Sequence, residues 1–446
     1  MVLPNRNRRG LIVFVNACRW LLALVLMLSG FLKAIDPVGG VYKLQEYVYA
    51  LSLPAMSDDV LLAAALAQAA LEFLLGLYLF VGVYRAFVSF AALFMMLLFT
   101  PFSLFLWLTD IVSDCGCFGE SIVMSNGATF VKNVVLLLFA VASFLGRSLF
   151  VGNLSRNTRW ILVLFSWVYI FGLQAMCLSH LPLIDFGPYA VGGDLRSKVK
   201  YVPDVYEEMA ICHKVGEDDI FYFPADSVVS GEWELEGYTE VLVAPGTEPE
   251  IGNFSIILDW DSDIEFADEL LADTGYVCIV VIEDVETASV THIDKVNDLY
   301  DYCMENGMRF CAVSSSYGAE VLQWTKRTGA EYPVYWGEKA MLRSMLRANP
   351  GLLLLKDGVV VGKWAAADIP AMEIFDGSRT AMPDVEWSFL GTMKGWPFWV
   401  TALSGVLFLL LLLDVILWLF GLWRRRRALR RMDAKRAAEN ETSDFN

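Results

Sequence analysis

Long apolar runs separated by short polar connections dominate the first 180 residues of the chain and return near its C-terminal end. The hydrocarbon core of a membrane takes about 20 consecutive apolar residues of a helix. Six runs approach that length and predict transmembrane helices at 11–32, 60–83, 87–109, 130–146, 160–178 and 396–423. The segment 33–59 mixes tyrosines with charged residues, which is typical of an amphipathic helix at the membrane surface.

Between the fifth and sixth predicted transmembrane helices, the apolar stretches of the sequence are much shorter. Residues 200–255 contain short β-branched and aromatic runs bounded by Gly, Pro and Asp, the pattern of short strands. From residue 256 onward, strand-like and helix-like patterns alternate, beginning with a buried strand at 275–284 and a helix at 289–306. They end in a hairpin at 349–364 that turns at Asp357-Gly358. This alternation predicts an α/β sandwich.

The predicted fold is a membrane α-helical bundle of six transmembrane helices joined to an α/β domain with a small β-rich subdomain. A mean hydropathy of +0.49 supports the membrane part, because soluble globular proteins are less apolar. The chain is expected to divide into five parts: a four-helix transmembrane domain (1–150), the fifth helix and a linker (151–199), the β-rich subdomain (200–255), the α/β domain (256–390), and the sixth helix with a basic tail (391–446).

The net charge of −17 is spread unevenly along the chain. Residues 181–392 carry 38 acidic and 14 basic side chains, a net charge of −24, and the remainder carries a net +7. Residues 181–392, the acidic block, therefore lie between membrane regions that carry a net positive charge. Nucleic-acid binding by that block is excluded as a function, because phosphates are bound by Lys and Arg.

Lysine and arginine near the ends of apolar helices indicate orientation, because cytoplasmic flanks carry an excess of them. Basic residues cluster before the first helix, between the second and third, between the fourth and fifth, and after the sixth: Arg6, Arg8, Arg9, Arg85, Arg147, Arg156, Arg159 and the run 424–427. In a six-pass topology these four flanks share one side. Both termini are therefore expected in the cytoplasm of a bacterial cell, with the protein in the inner membrane and residues 179–395 in the periplasm, where disulfides are permitted.

The stretch DCGCFGE, residues 114–120, interrupts the apolar frame with two cysteines separated by one glycine. Gly116 allows the backbone conformation that a Cys115–Cys117 disulfide requires, and strained disulfides are the more oxidising ones. Three interpretations of the two cysteines remain open: a redox pair, a structural loop disulfide, and free or metal-bound thiols. Zinc is poorly supported, because no second Cys pair or His pair stands nearby. Asp114 is a candidate for orienting a water molecule or modulating a thiol pKa, and Cys177 ends the fifth helix on the same side.

Glu72 lies in the middle of the second apolar helix, where an ionisable side chain is costly and is expected to have a partner or a function. Two interpretations are open. In one, Glu72 pairs with Arg19 or with a backbone donor inside the bundle. In the other, it takes part in proton or quinone chemistry, with Gln68 one turn earlier sharing its network.

The acidic block resembles the thioredoxin-like fold, in its peroxiredoxin and thiol-reductase branch. The residues that carry the resemblance are GYVCIVVIED (275–284), YPVYWG (332–337) and ANPGLLLLKDGVVVGKW (348–364). The resemblance implies a cis peptide bond before Pro350. The block departs from the family at 283–290, where EDVETASV replaces the Cys-x-x-Cys pair. The resemblance therefore implies a domain that binds partners without exchange chemistry of its own.

Three other cysteines of this block, Cys278, Cys303 and Cys311, fall in predicted strands or late in a predicted helix. We expect them to be buried as small apolar side chains. A Cys303–Cys311 disulfide is the alternative. The pairing of Cys212 and of Cys177 stays open.

The first four predicted transmembrane helices and their connections contain four characteristic stretches: SGFLKAIDP (29–37), ALEFLLGLYLFVG (70–82), DCGCFGE and FVKNVVLLL (130–138). Through these residues they resemble the MauE/DoxX-like membrane family, and the whole arrangement resembles DoxX-family proteins of Bacteroidota. The resemblance implies thiol–disulfide maturation of exported client proteins, with Cys115 and Cys117 as the catalytic pair. An architectural analogy with quinone-linked thiol oxidants implies a quinone as cofactor. The alternative is a non-catalytic scaffold subunit of a membrane complex in contact with the lipid bilayer.

Overall fold

The computed structural model describes residues 5–150, 159–214, 220–226, 233–252, 254–259, 261 and 264–369, with single residues between 405 and 427. The chain forms two compact units. One consists of Met1–Phe186 with Glu386–Asn446, and the other of Gly187–Val385.

The first unit is helical. Its helices are α1 (Asn5–Ile35), α2 (Pro37–Ala50), α3 (Asp58–Val81), α4 (Arg85–Thr109), α5 (Asn126–Leu145) and α6 (Arg159–Ser179). Among the described residues, five of these helices, all except α2, are long and apolar enough to cross a membrane. The first five predicted spans are confirmed as helices of this kind. The sixth predicted span, 396–423, lies almost wholly outside the described residues.

Helices α1 and α3 approach each other closely because a glycine on each faces the backbone of the other. A Cβ atom on Gly30 would lie 2.3 Å from the backbone nitrogen of Phe73, and one on Gly76 would lie 2.6 Å from that of Met27. Small residues allow such contact between membrane helices. The approach brings the polar positions of α1 directly against those of α3.

Helix α2 is the predicted amphipathic segment. Asp36 caps its N-terminus by accepting a hydrogen bond of 2.9 Å from the backbone N–H of Gly39, and Pro37 occupies the first turn, where no backbone donor is needed. Val41 packs against Leu61 and Ala65 of α3. The side of α2 that carries Lys43 and Tyr47 is thereby directed towards the loop that contains DCGCFGE.

The loop between α4 and α5 is fixed at its C-terminal end. It contains a short strand, β1 (Cys117–Glu120). Asn126, at the start of α5, donates from Nδ2 to the carbonyl of Val112 at 2.8 Å and to Asp110 Oδ1 at 3.1 Å. Ser125 caps α5 by accepting from the backbone N–H of Ala128. These bonds tie the connection to both helices and leave the cysteine motif as its central part.

The second unit begins with a short helix, α7 (Leu195–Val199), and a three-stranded antiparallel sheet in the order β3-β2-β4. Its strands are β2 (Val205–Lys214), β3 (Ile220–Pro224) and β4 (Trp233–Ala244). The strands predicted for residues 200–255 are present. Strand β4 continues through Gly237, where its pairing register with β2 shifts between Leu235 and Gly237. A bulge therefore accommodates the glycine without ending the strand.

The rest of the unit is a six-stranded mixed sheet in the order β10-β9-β6-β7-β8-β5. Its elements, in chain order, are β5 (Ile256–Ile257), α8 (Ala267–Ala272), β6 (Tyr276–Ile282), α9 (Ile293–Glu305), β7 (Arg309–Ser314), α10 (Ala319–Thr328), β8 (Val334–Gly337), α11 (Lys339–Met345), β9 (Gly351–Lys356) and β10 (Val359–Ala365). Strands β6, β7 and β8 are parallel, and β9 pairs antiparallel with β6. Asp357 and Gly358 turn the β9–β10 hairpin with positive φ angles of 52° and 73°, as the sequence predicts. The Asn349–Pro350 peptide bond is cis.

All eight cysteines of the chain are free thiols in this structure. Cys278, Cys303 and Cys311 are buried, as expected. The alternative of a Cys303–Cys311 disulfide is wrong. Cys311 pairs in register with Ile279, one position along β6 from Cys278, so its side chain points to the opposite face of the sheet. Cys303 of α9 lies instead in the cluster that contains Cys278.

Candidate functional site

The DCGCFGE loop is shaped by Asp114. One oxygen of its carboxylate, Oδ2, accepts a hydrogen bond of 2.8 Å from the backbone N–H of Gly116, and the other, Oδ1, lies 2.9 Å from the ammonium of Lys43. Lys43 also contacts Glu46 of its own helix at 2.8 Å. Asp114 therefore forms the turn and ties it to α2. Its expected roles of orienting a water molecule or modulating a thiol pKa stay predictions.

Gly116 is required by this turn for two reasons. Its φ of +59° lies in the left-handed region, which side-chain-bearing residues adopt at a cost. A Cβ atom there would lie 2.9 Å from Cγ of Lys43. The glycine between the two cysteines thus gives the backbone its reversal and lets the stem of Lys43 cross the loop.

The two sulfur atoms that flank Gly116 lie 3.2 Å apart. A disulfide has a sulfur–sulfur distance of about 2.05 Å, so the structure holds the pair as two thiols in direct contact. Both backbone carbonyls are fixed from neighbouring helices. Tyr47 of α2 donates to the carbonyl of Cys115 at 2.7 Å, and Ser29 of α1 donates to that of Cys117 at 2.6 Å.

The two thiols have opposite acidities. A hydrogen bond from Cys115 lowers the pKa of Cys117 to about 6; burial opposes this, and the charges of Lys132 and Lys33 add to it. The pKa of Cys115 is raised, first by its hydrogen bond to Cys117 and then by burial and by the charge on Cys117. Near neutral pH the pair therefore carries one proton on Cys115 and a thiolate on Cys117.

Lys132 of α5 supplies one of the two positive charges. Its ammonium lies 4.3 Å from the centre of the Phe118 ring, the residue next to Cys117. Such a cation–π contact holds the charge beside the loop. Phe118 is itself buried in the first unit's hydrophobic cluster, so the ring is a fixed support.

Lys33 of α1 supplies the other charge, and its partner is Glu72. The Lys33 ammonium lies 2.7 Å from Glu72 Oε1, and Gln68 donates to the same oxygen at 3.1 Å. The expected pairing of Glu72 with Arg19 is therefore wrong. The Arg19 guanidinium lies over the rings of Trp20 and Phe150 at 5.4 Å and 4.9 Å from their centres. The expected sharing of the network by Gln68 is present.

Ser29 connects this buried carboxylate to the cysteine loop. Its hydroxyl oxygen lies 2.5 Å from Glu72 Oε2 and 2.6 Å from the carbonyl oxygen of Cys117. Ser29 and Lys33 are one helical turn apart on α1, as are Gln68 and Glu72 on α3. Two such polar pairs in otherwise apolar helices are the sequence signal that would have predicted this network.

A cavity of about 270 Å³ adjoins the loop. Helices α1, α2 and α3 and the cysteine loop supply its walls. The lining combines apolar side chains such as Leu44, Ala65 and Val123 with polar ones: Lys33, Asp36, Tyr42, Lys43, Glu46, Tyr47, Gln68, Asp114, Cys115 and Glu120. Cys115 lines the cavity, whereas Cys117 packs against the hydrophobic cluster that also contains Phe118 and Cys177. Cys115 is therefore the sulfur that a molecule in the cavity meets first.

One expected participant, Cys177, takes no part in the contact between the two loop sulfurs. Cys177 is buried in the cluster behind Cys117, without a bond to either loop cysteine. Among the described residues, no group of three or more His, Cys, Asp or Glu side chains is arranged to hold a metal ion.

The cysteine loop lies within the part of the chain that matches a known family model. The searches of curated proteins and of solved structures each found no match. A scan against family models found a match that covers helices α1 to α5 with both loop cysteines and leaves out α6 and the second unit. The MauE resemblance inferred from the sequence is thereby confirmed for the first four predicted transmembrane helices, since residues 11–146 match the family model of methylamine utilisation protein MauE.

Proposed function

We propose that the protein is a thiol–disulfide factor of the bacterial inner membrane that donates a Cys115–Cys117 disulfide to exported proteins. The observation that carries the proposal is that the two cysteines differ in position and in acidity. Cys115 lines the cavity, and Cys117 is the acidic thiol beside Lys132 and Lys33. A stabilised thiolate favours the reduced form of the pair, which makes the corresponding disulfide a better oxidant.

The proposed reaction proceeds by two exchanges. A client thiolate attacks the sulfur of Cys115, a bond forms between the two, and Cys117 leaves as the thiolate. Leaving groups of low pKa leave faster, so attack at Cys115 is the favoured direction. A second client thiolate then attacks the client sulfur and releases Cys115. The client loses two electrons and two protons; the pair gains the electrons and one proton, on Cys115, and the other proton goes to solvent.

Regeneration of the disulfide requires a two-electron acceptor, for which the resemblance implies a quinone. The cavity carries four charged side chains, Lys33, Asp36, Lys43 and Glu46, beside apolar ones such as Leu44 and Ala65, and this mixed lining does not select a quinone over another acceptor. The proposed reaction therefore ends at the reduced pair.

The second unit is proposed to act as a periplasmic client-binding domain of thioredoxin-like fold. The distribution of Lys and Arg supports a topology with both termini in the cytoplasm and residues 179–395 outside. The parallel β6–β7 pair beside the antiparallel β9–β10 hairpin supports the fold assignment. The connection that follows β6, residues 283–292, has no cysteine, which supports binding without exchange.

The test is thiol trapping on single-residue variants in native membranes. Cys117→Ser is expected to accumulate mixed disulfides between Cys115 and exported proteins, because Cys115 loses its internal partner. Cys115→Ser is expected to give far fewer adducts, because the remaining sulfur packs against the cluster. Cys18→Ser serves as a control, since Cys18 is buried elsewhere in the bundle. The proposal fails if the double variant leaves the thiol state of all exported proteins unchanged.

A second candidate function is a non-catalytic scaffold subunit of a membrane complex. It is favoured by the charged connection after β6, where Glu283 pairs with Arg343 at 2.8 Å and Asp284 with Lys339 at 3.4 Å in place of a redox motif. A scaffold predicts that the Cys115→Ser/Cys117→Ser variant retains full function. It also predicts stable co-purification of the protein with a membrane complex.

A further inference from the structure

A second sulfur pair lies inside the six-stranded sheet unit. The Sγ atoms of Cys278 on β6 and Cys303 on α9 are 3.6 Å apart, and both side chains are fully buried. Val296 and Leu299 of α9 belong to the same cluster, so the helix packs on the face of the sheet that presents Cys278. The contact is therefore part of the main interface between a central strand and its covering helix.

We propose that Cys278 and Cys303 form a structural disulfide that joins β6 to α9 in the mature protein. The inference rests on the proposed periplasmic location of this unit, where disulfides persist. Bonded sulfurs lie about 2.05 Å apart, so each atom needs to move by less than about 1 Å from its present place.

The geometry selects this pair among the three cysteines of the sheet. Strand residues alternate between the two faces of a sheet. Cys278 is in register with Phe310, which belongs to the cluster beneath α9, and Cys311 is the next residue of β7. Cys311 therefore points to the other face and has no route to Cys303. It is an equally buried internal control.

The bond forms during folding, because neither sulfur is accessible once α9 has packed. The thiolate of one cysteine attacks a protein or low-molecular-weight disulfide of the same compartment and forms a mixed disulfide. The thiolate of the other displaces the second half of that molecule. Two electrons pass from the cysteines to the incoming disulfide, which is reduced to two thiols, and the two protons pass to them or to solvent.

The pair is thus distinct in role from Cys115 and Cys117. Cys278 and Cys303 are 25 positions apart in sequence, so the bond closes a long loop and restricts the unfolded chain. Because the folded domain shields it, the bond is expected to stay oxidised when client proteins reduce the loop pair. It would hold the last turn of α9 on the sheet, near the start of the connection to β7.

The experiment is differential alkylation of the full-length protein taken from native membranes. Thiols are blocked with N-ethylmaleimide in denaturant, disulfides are then reduced, and the released thiols are labelled with a second reagent before peptide mass spectrometry. Cys278 and Cys303 are expected to carry the second label and Cys311 the first. The proposal is overturned if Cys278 and Cys303 carry the first label as Cys311 does.

Variants separate the bond from general packing. Cys278→Ala is expected to shift Cys303 to the first label, whereas Cys311→Ala leaves Cys278 and Cys303 on the second. A reductant is expected to lower the thermal midpoint of the wild-type protein and of Cys311→Ala but not that of Cys278→Ala. Equal sensitivity of all three proteins to the reductant would contradict a bond between Cys278 and Cys303.

One further variant distinguishes failure of the disulfide from failure of the location. Glu320→Cys places a thiol on the exposed first turn of α10. If a membrane-impermeant maleimide labels it in spheroplasts while Cys278 and Cys303 are reduced, the disulfide proposal alone fails. If Glu320→Cys is labelled only after the membrane is opened, the periplasmic location is wrong, and the disulfide proposal, which rests on that location, fails as well.

Discussion

The ammonium of Lys33 lies 2.7 Å from a carboxylate oxygen of Glu72, which pairs two opposite charges inside the membrane bundle. Only 13% of the Lys33 side chain and 1% of the Glu72 side chain are exposed. Lys33 is also one of the charges that lower the pKa of Cys117, and it lines the cavity that reaches Cys115. The ion pair is therefore both a structural tie between α1 and α3 and part of the electrostatic environment of the cysteine loop.

The first prediction concerns Lys132. Replacement by Met removes a positive charge near the Cys117 thiolate, so the pKa of Cys117 is expected to rise by about 1 unit from its value of about 6. The measurement is the rate of Cys117 alkylation by iodoacetamide in reduced protein, followed from pH 5 to 9 by peptide mass spectrometry. Lys132→Arg keeps the charge and is expected to leave the profile near that of the wild type. An unchanged profile for Lys132→Met would contradict the assignment.

The second prediction concerns the hydrogen bond from Cys115, which is the largest cause of the lowered pKa of Cys117. Cys115→Ala removes the donor, so the pKa of Cys117 is expected to rise more than in Lys132→Met. Cys115→Ser keeps a hydroxyl donor at the same position and is expected to give an intermediate value. The same alkylation profiles give the order of the three proteins. A Cys115→Ala profile equal to that of the wild type would show that the sulfurs do not share a proton.

The position of the cysteine loop was easier to predict from the sequence than the contacts that surround it. DCGCFGE stands out because two thiols and two carboxylates interrupt an apolar frame, and the spans on either side are recognisable from hydropathy. The sequence pattern does not link the cysteines to Ser29, Lys43, Tyr47 and Lys132, because those four residues lie on three different helices. Their contacts depend on how those helices are rotated and how closely they pack.

Glycine packing determines that rotation for α1 and α3. Gly30 and Gly76 each meet the backbone of the opposite helix, and this contact sets Ser29 and Lys33 against Glu72. The incorrect pairing with Arg19 arose because charge alone does not show which turn of α1 faces α3. In the second unit, the β-strand period explains the error with Cys311, since a one-residue difference in a strand reverses the face.

The third prediction tests the steric role of Gly116 against a matched glycine. Gly116 and Gly119 have similar φ angles, +59° and +62°, but a Cβ atom meets Lys43 at the first and nothing within 4 Å at the second. Both Gly→Ala changes are expected to cost about 1–2 kcal/mol for the left-handed backbone. Gly116→Ala is expected to cost more, because the stem of Lys43 must move away from Asp114. Thermal unfolding in detergent compares the two, and equal losses would contradict the contact.

The fourth prediction separates stability from chemistry at the buried ion pair. Lys33→Met leaves the Glu72 carboxylate buried without its charge partner and is expected to destabilise the protein by about 3–5 kcal/mol. Lys33→Met/Glu72→Leu removes both charges and is expected to recover most of that loss, because apolar pairs commonly replace buried ion pairs without penalty. The free energies of unfolding are compared in one detergent.

The double variant should nevertheless remain altered at the cysteine loop. The charge of Lys33 is absent from it, so the pKa of Cys117 is expected to lie above the wild-type value of about 6 although the protein is folded. The alkylation profile of Cys117 and the yield of mixed disulfides with exported proteins provide the readouts. A stable double variant with wild-type values of both would show that Lys33 and Glu72 only hold α1 against α3. A stable variant with a raised pKa and fewer mixed disulfides would show that the pair also sets the reactivity of Cys117.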